Sequence, residues 1–238
     1  MIASIFIAKL RKYQNGFALL SLLFLSAGLY TGLVVSPPDY YQGEVVRIMY
    51  IHVPFAEAAM AAYTVLFAGS LWYLWKRDPV IDNMCHAAAG IGILFTSVAL
   101  ITGSIWAKPT WNTWWTWDPR LTTAAVTELI YIAYFMLRQG IEDPGRRARF
   151  GAVYTVLGAI SAPITFFAIR LFRTIHPVVI GSGDPSAQGT FAMSAGMKLA
   201  FFFALFAFTI IFVDLFWNRI RMGRLAEKVE QLKLSLMG

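Results

Sequence analysis

Charge is what this sequence has least of. Of its 238 residues only 14% are charged, against 58% hydrophobic and a mean hydropathy of +0.60. Soluble globular chains carry about a quarter charged residues, so this composition excludes an ordinary soluble domain and points to a membrane protein. Cysteine is almost absent too: the single Cys85 excludes an internal disulfide and any CxxC motif within the chain. The net charge of +7 is spread in short basic clusters between apolar runs, with no continuous stripe, so nucleic acid is not an expected partner. No repeat of solenoid period divides the chain, and no second domain is expected.

What is present is a set of six apolar runs of the roughly 17 to 25 residues that cross a bilayer as a helix: 17–36, 54–75, 87–106, 121–137, 151–169 and 197–217. The expected fold is therefore an all-α membrane protein with six transmembrane helices in one domain over residues 1–238. The first run follows Lys9, Arg11 and Lys12 as a signal sequence would. Its length and the absence of a small-x-small cleavage pattern around Ser36, Pro37, Pro38 and Asp39 make it an anchor instead. Fourteen of the 20 lysines and arginines fall on the side that holds both termini, the Lys76–Arg77 turn and the loop carrying Arg138, Arg146, Arg147 and Arg149. By the positive-inside rule both termini are cytoplasmic. Residues 218–238 read as a basic amphipathic tail, with Leu225, Val229, Leu232 and Leu236 at helical spacing, suited to the lipid at the inner membrane surface.

On the other side, between spans three and four, lies WNTWWTWDPRLT, residues 111–122. Trp111, Trp114, Trp115 and Asp118 share one face if the stretch is helical. Pro109 and Pro119 bracket it, which leaves room for at most about two and a half turns. A short interfacial helix with an indole-paved side is the expectation. An aromatic belt at the headgroup level accounts for the location of such residues. It does not account for five of the eight tryptophans lying between Trp106 and Trp117.

Two of the three histidines, His52 and His176, fall on the same side as the tryptophans, while His86 lies at the opposite end of span three, about 30 Å away across the hydrocarbon. A lone pair of loop histidines is compatible with plain interfacial residues. Their company suggests more. Indoles can stack on a porphyrin, imidazoles can take its iron from both faces, and the guanidinium groups of Arg47 and Arg120 can pair with its propionates.

The stretch WNTWWTWDPRLT resembles the tryptophan-rich WWD signature of the haem-handling protein superfamily. Together with TGSIWAKP (102–109), RIMYIHVP (47–54) and PDYYQG (38–43), it resembles the cytochrome c maturation protein C family, CcmC, also called haem exporter protein C. The resemblance covers most of the chain in order. It implies that His52 and His176 are axial ligands of a b-type haem, and that Trp114, Trp115, Trp117 and Asp118 floor the haem site with Trp111 on the same indole face. Arg47 and Arg120 then stand near the propionates and the partner surface. It further implies a multi-pass protein of the bacterial inner membrane that presents haem on the periplasmic side to the chaperone CcmE. There it assists covalent attachment through positioning rather than as an enzyme with catalytic residues of its own. The associated ABC transporter is CcmA with CcmB, accompanied by the small CcmD protein.

The chain departs from the family pattern before His176, where Arg170, Leu171, Phe172, Arg173, Thr174 and Ile175 replace a tryptophan-rich segment, at Pro119, and at Glu57. Glu57, Glu128 and Asp214 are acids within spans. Asp214 is expected to pair with Arg219 or its neighbours, and Glu128 to pack against another span or hydrogen-bond there. Two alternative functions stand beside the first: a transporter moving haem through its own spans, and a membrane electron-transfer cytochrome.

Overall fold

The computed structural model describes residues 14–178 and 192–237. Lys9, Arg11 and Lys12, counted above for orientation, and Gly238 lie outside them. The helices are α1 (Gln14–Tyr30), α2 (Met49–Lys76), α3 (Pro79–Trp111), α4 (Pro119–Gln139), α5 (Pro144–Gly158), α6 (Ser161–Leu171) and α7 (Ala195–Met237). A π-helical turn, Thr31–Val35, extends α1, and a 3-10 turn, Glu44–Ile48, leads into α2. Among the described residues, with α5 and α6 as one broken unit, six segments are long and apolar enough to cross a membrane. Five contain the corresponding run read from the sequence, and the first ends at Val35, one residue short of the expected 17–36.

The segment boundaries follow local chemistry. Arg77 takes a left-handed conformation to end α2; Asp78 then caps α3 by accepting from the Val80 amide at 2.8 Å, and Pro79 opens the helix. This two-residue reversal makes α2 and α3 an antiparallel hairpin at the centre of the fold. The fifth segment breaks at residues 159–160 because Pro163, lacking an N–H, cannot bond the carbonyl of Ala159 and crowds it.

The core is built for close approach. Ala58, Ala59 and Ala62 of α2 and Ala88 and Ala89 of α3 are all buried in one cluster, and such small residues let helix backbones pack where lipid offers no hydrophobic drive. Gly92 is needed here, since a Cβ on it would lie 2.5 Å from the ring of Tyr63. Tyr63 in turn stacks on Tyr131 of α4 at 4.0 Å and shares a 2.9 Å hydrogen bond with Thr96. Leucines 19, 20, 22 and 23 of α1 stay exposed, as a lipid-facing surface requires.

Two buried acids behave differently. Glu128 accepts from the Ser97 hydroxyl across α3 and α4. Asp214 corrects the sequence reading: it is buried, and among the described residues it forms no ion pair, while Arg219 is exposed. Five residues separate them, about 140° around the helix, so they point apart.

At the end of the bundle remote from His52, Arg138 closes α4 onto the start of α3 by a two-pronged pair with Asp82, at 2.6 and 2.8 Å, over the ring of Tyr134. Removing one partner strands the other in a mostly buried place. Asp82→Asn is expected to cost about 3 kcal/mol, read as a lower thermal midpoint in detergent, with Arg138→Met in the same background restoring part of the loss.

Candidate functional site

At the other end of the bundle, the start of α2, the end of α3, the start of α4 and the loop after α6 converge around a cavity of about 490 Å³. His52, His176, Trp106, Trp111, Trp115 and Arg120 line its mouth. Farther in, the walls pass to Glu57, Met60, Tyr63 and Thr96, toward the core of the α2–α3 hairpin.

His52 sits one turn into α2. Its Nδ1 donates to the carbonyl of Ala99 at 2.9 Å, with the Thr102 hydroxyl at 3.3 Å. A carbonyl only accepts, so Nδ1 carries the proton and the Nε2 lone pair is free to bind. The imidazole can lie this close to α3 only because residue 103 is glycine, where a Cβ would fall 2.8 Å from His52 Cε1. Trp106, one turn on, stands edge-on to the imidazole at 5.9 Å. Its indole N–H donates to Gln42 at 2.7 Å. Gln42 is held by the turn Pro38–Gly43, in which Asp39 and Gly43 pair through their backbones and Asp39 Oδ1 accepts from the amides of Tyr41 and Gln42.

His176 has no helix to hold it. Asp118 does that work: one carboxylate oxygen caps α4 by accepting from the Arg120 amide at 2.9 Å, and the other accepts from the Thr174 hydroxyl at 2.6 Å and the Ile175 amide at 2.9 Å. The His176 amide then bonds back to the Thr174 hydroxyl at 3.1 Å. The His176 Nδ1 donates to the carbonyl of Pro177 at 3.0 Å, which fixes the same tautomer as in His52. Burial pushes the His176 imidazole well below the usual histidine range, the guanidinium of Arg120 and the nearness of His52 add to this, and the bond to Pro177 opposes it. The environment thus favours the neutral imidazole.

The two imidazole centroids stand 6.4 Å apart with planes 39° from parallel. Two imidazoles bound through one nitrogen each to a shared metal, at about 2 Å per bond, have centroids roughly 6.3 Å apart. The pair, its N–H groups both tied to carbonyls as metal-bound imidazoles usually are, fits an iron between two axial ligands. The remaining volume and the indole walls fit a flat apolar macrocycle.

Several residues named from the sequence stand elsewhere. The tryptophan-rich stretch is not a separate helix. α3 runs through Pro109 to Trp111, Asn112 ends it in a left-handed conformation, and 113–118 continue as bends and extended chain. Pro119 disfavours helix in the residue before it, and Asp118 adopts the extended cap geometry. Trp111 therefore reaches the site from α3, with its ring 6.4 Å from His176, and Trp115 reaches it from the bend. Trp114 is 57% and Trp117 83% exposed, and neither lines the cavity. Asp118 is buried as the clamp described, rather than flooring the cavity. Arg47 is also off the cavity, paired with Glu44 and donating to the Gly32 carbonyl at 3.4 Å. Arg120 does line it, with its guanidinium near the carbonyls of Thr165 and Phe166. Trp106, Gln42, Gly103 and Thr174 went unnamed as site residues. For Trp106 the signal was present, as the member of the tryptophan cluster that lies within span three.

The family model described as heme exporter protein C matches residues 2–235. The chain is 35% identical to the heme exporter protein C of Bradyrhizobium diazoefficiens over 229 residues, 96% of this chain and 85% of that one. It is 33% identical to that of Paracoccus denitrificans over 195 residues, covering 80% and 79% of the two chains. With that of Escherichia coli K12 it shares 30% identity over 208 residues, covering 86% and 80%. A match of this extent leads to one conclusion: the chain belongs to the haem exporter protein C family.

Proposed function

We propose that the chain binds a b-type haem between His52 and His176 at the periplasmic face of the bacterial inner membrane, passes it to the chaperone CcmE and assists its attachment there, alongside CcmA, CcmB and CcmD. Membership of the family assigns the chain more broadly to haem handling in cytochrome c biogenesis. The observation that carries the finer reading is the facing pair of neutral imidazoles, 6.4 Å apart, each with Nδ1 bonded to a backbone carbonyl. The excess of Lys and Arg at the opposite end supports the orientation.

In this reading haem supplies the iron to be ligated and the vinyl group to be attached, and the chain supplies position. His52 and His176 hold the ring plane, while Trp106, Trp111 and Trp115 wall it from lipid and water. Arg120 offers a positive charge to a propionate at the edge of the cavity. Holding cargo and chaperone in one register removes part of the entropic barrier to bond formation between them. A path through the chain's own spans is disfavoured by the inner end of the cavity, where Tyr63 is locked between Tyr131 and Thr96 and the alanine-lined hairpin is packed beneath.

His52→Ala and His176→Ala are each expected to lose the six-coordinate low-spin absorption spectrum of the loaded parent protein; a double variant that keeps that spectrum would remove these residues as ligands. Asp118→Asn leaves one side-chain acceptor where three hydrogen bonds are now received, so the His176 loop should loosen. Haem affinity is then expected to fall by about tenfold, as for other groups that orient a metal ligand, with a high-spin component appearing in the spectrum. The depressed affinity of His176 for protons sets the sign of the pH response. Above the ordinary histidine value of about 6.5 the ring is neutral folded or unfolded; below it the unfolded state takes up a proton that the folded site resists. Haem retention should therefore hold flat from pH 8 through 6.5 and fall only on further acidification, as a spectroscopic titration would record.

A further inference from the structure

The helix α7 is longer than its membrane span requires. Its 43 residues rise about 64 Å, against 40–45 Å for a bilayer with its headgroups. The last residue packed into the bundle is Ile220, whose carbonyl accepts from Asn83 at 2.8 Å, and Gly223 still lies against that asparagine. From Leu225 on, the helix runs without interruption and is exposed on every side as far as its side chains are described. The basic amphipathic tail expected from the sequence is thus a helix continuous with the last span, and the bundle leaves its apolar side chains uncovered.

Apart from Leu234 and Met237, the large apolar residues of this projection follow a stricter rule than amphipathicity. Met222, Leu225, Val229, Leu232 and Leu236 alternate steps of three and four, the a and d spacing of a coiled-coil seam, and they are 43 to 86% exposed. The flanking positions are Arg221 and Lys228 on one side and Lys233 on the other, with Ala226 and Ser235. No acid flanks the seam. Glu227 and Glu230 sit on the outer face, where Glu230 approaches Lys233 at 3.9 Å. A second copy of the chain would therefore set cation against cation in either direction of pairing, and like charges at these positions repel.

We propose that residues 222–236 form a docking seam for one helix of a partner protein. That helix would carry an apolar stripe of the same three-four spacing, flanked by Asp or Glu. The seam supplies the apolar contact, and Arg221, Lys228 and Lys233 select the charge of the partner. This interaction lies at the end of the bundle opposite the histidine pair, and it stands or falls independently of haem binding.

The test is photo-crosslinking of the full chain in membranes of its own host, with a benzophenone side chain placed at 225 or 232 on the seam, or at 227 or 234 on the outer face. The expected result is a protein adduct from the two seam positions only. Its partner peptide, sequenced by mass spectrometry, should have apolar residues at three-four spacing beside acids. Lys228→Glu with Lys233→Glu should reduce the adduct by about tenfold, and Lys228→Gln with Lys233→Gln by less. Unchanged haem content in each variant would show that the bundle is intact. An adduct between two copies, lipid adducts alone, no adduct, a partner peptide without acids, or a yield indifferent to both charge changes would each overturn the proposal.

Discussion

One carboxylate joins two parts of the chain that are far apart in sequence. Asp118 caps α4 with one oxygen and with the other holds Thr174 and Ile175, 56 and 57 residues away. Residues 172–177, which carry His176, form neither helix nor strand. Their backbone needs partners in a site partly shut off from water, and a single charged acceptor provides the strongest hydrogen bonds available for it. The facing of the two imidazoles, the neutral state of His176 and the shape of the cavity all depend on where this loop lies. The aspartate of the tryptophan-rich stretch thus acts on the site through His176 rather than by touching the cavity.

The two histidines are held by contrasting means. His52 stands on a rigid helix and is pressed onto a second one, where glycine at 103 leaves out a Cβ that would meet the ring. His176 stands on a tether clamped at one point. A rigidly held imidazole thus stands opposite a tethered one. In each case a backbone carbonyl takes the Nδ1 proton, so the folded backbone itself sets the tautomer of both rings.

Much of this architecture could be read from composition and spacing. The six apolar segments, their order and the sharing of one membrane side by His52, His176 and the tryptophans follow from residue types and the length a bilayer demands. Helix ends were less legible. Pro109 and Pro119 looked like brackets of a stub, yet α3 tolerates Pro109 near its end and only Pro119 acts as a boundary. The same logic separated Trp111 from Trp114: helical periodicity put them on one face, and the left-handed turn at Asn112 sends them in different directions. Asp214 and Arg219 were near in sequence but lie on different sides of α7.

By itself the sequence determined that the chain is a six-helix membrane protein of the haem exporter protein C family, with its histidine pair on the tryptophan side. Periodic burial and charge asymmetry are local properties that a linear string records. Only the tertiary structure decided which indoles reach the cavity, that Arg120 lines it and Arg47 does not, and that Asp118 is a clamp. Those outcomes turn on helix termini and on hydrogen bonds between segments remote in the chain, where a few degrees of backbone rotation move a side chain from cavity to solvent.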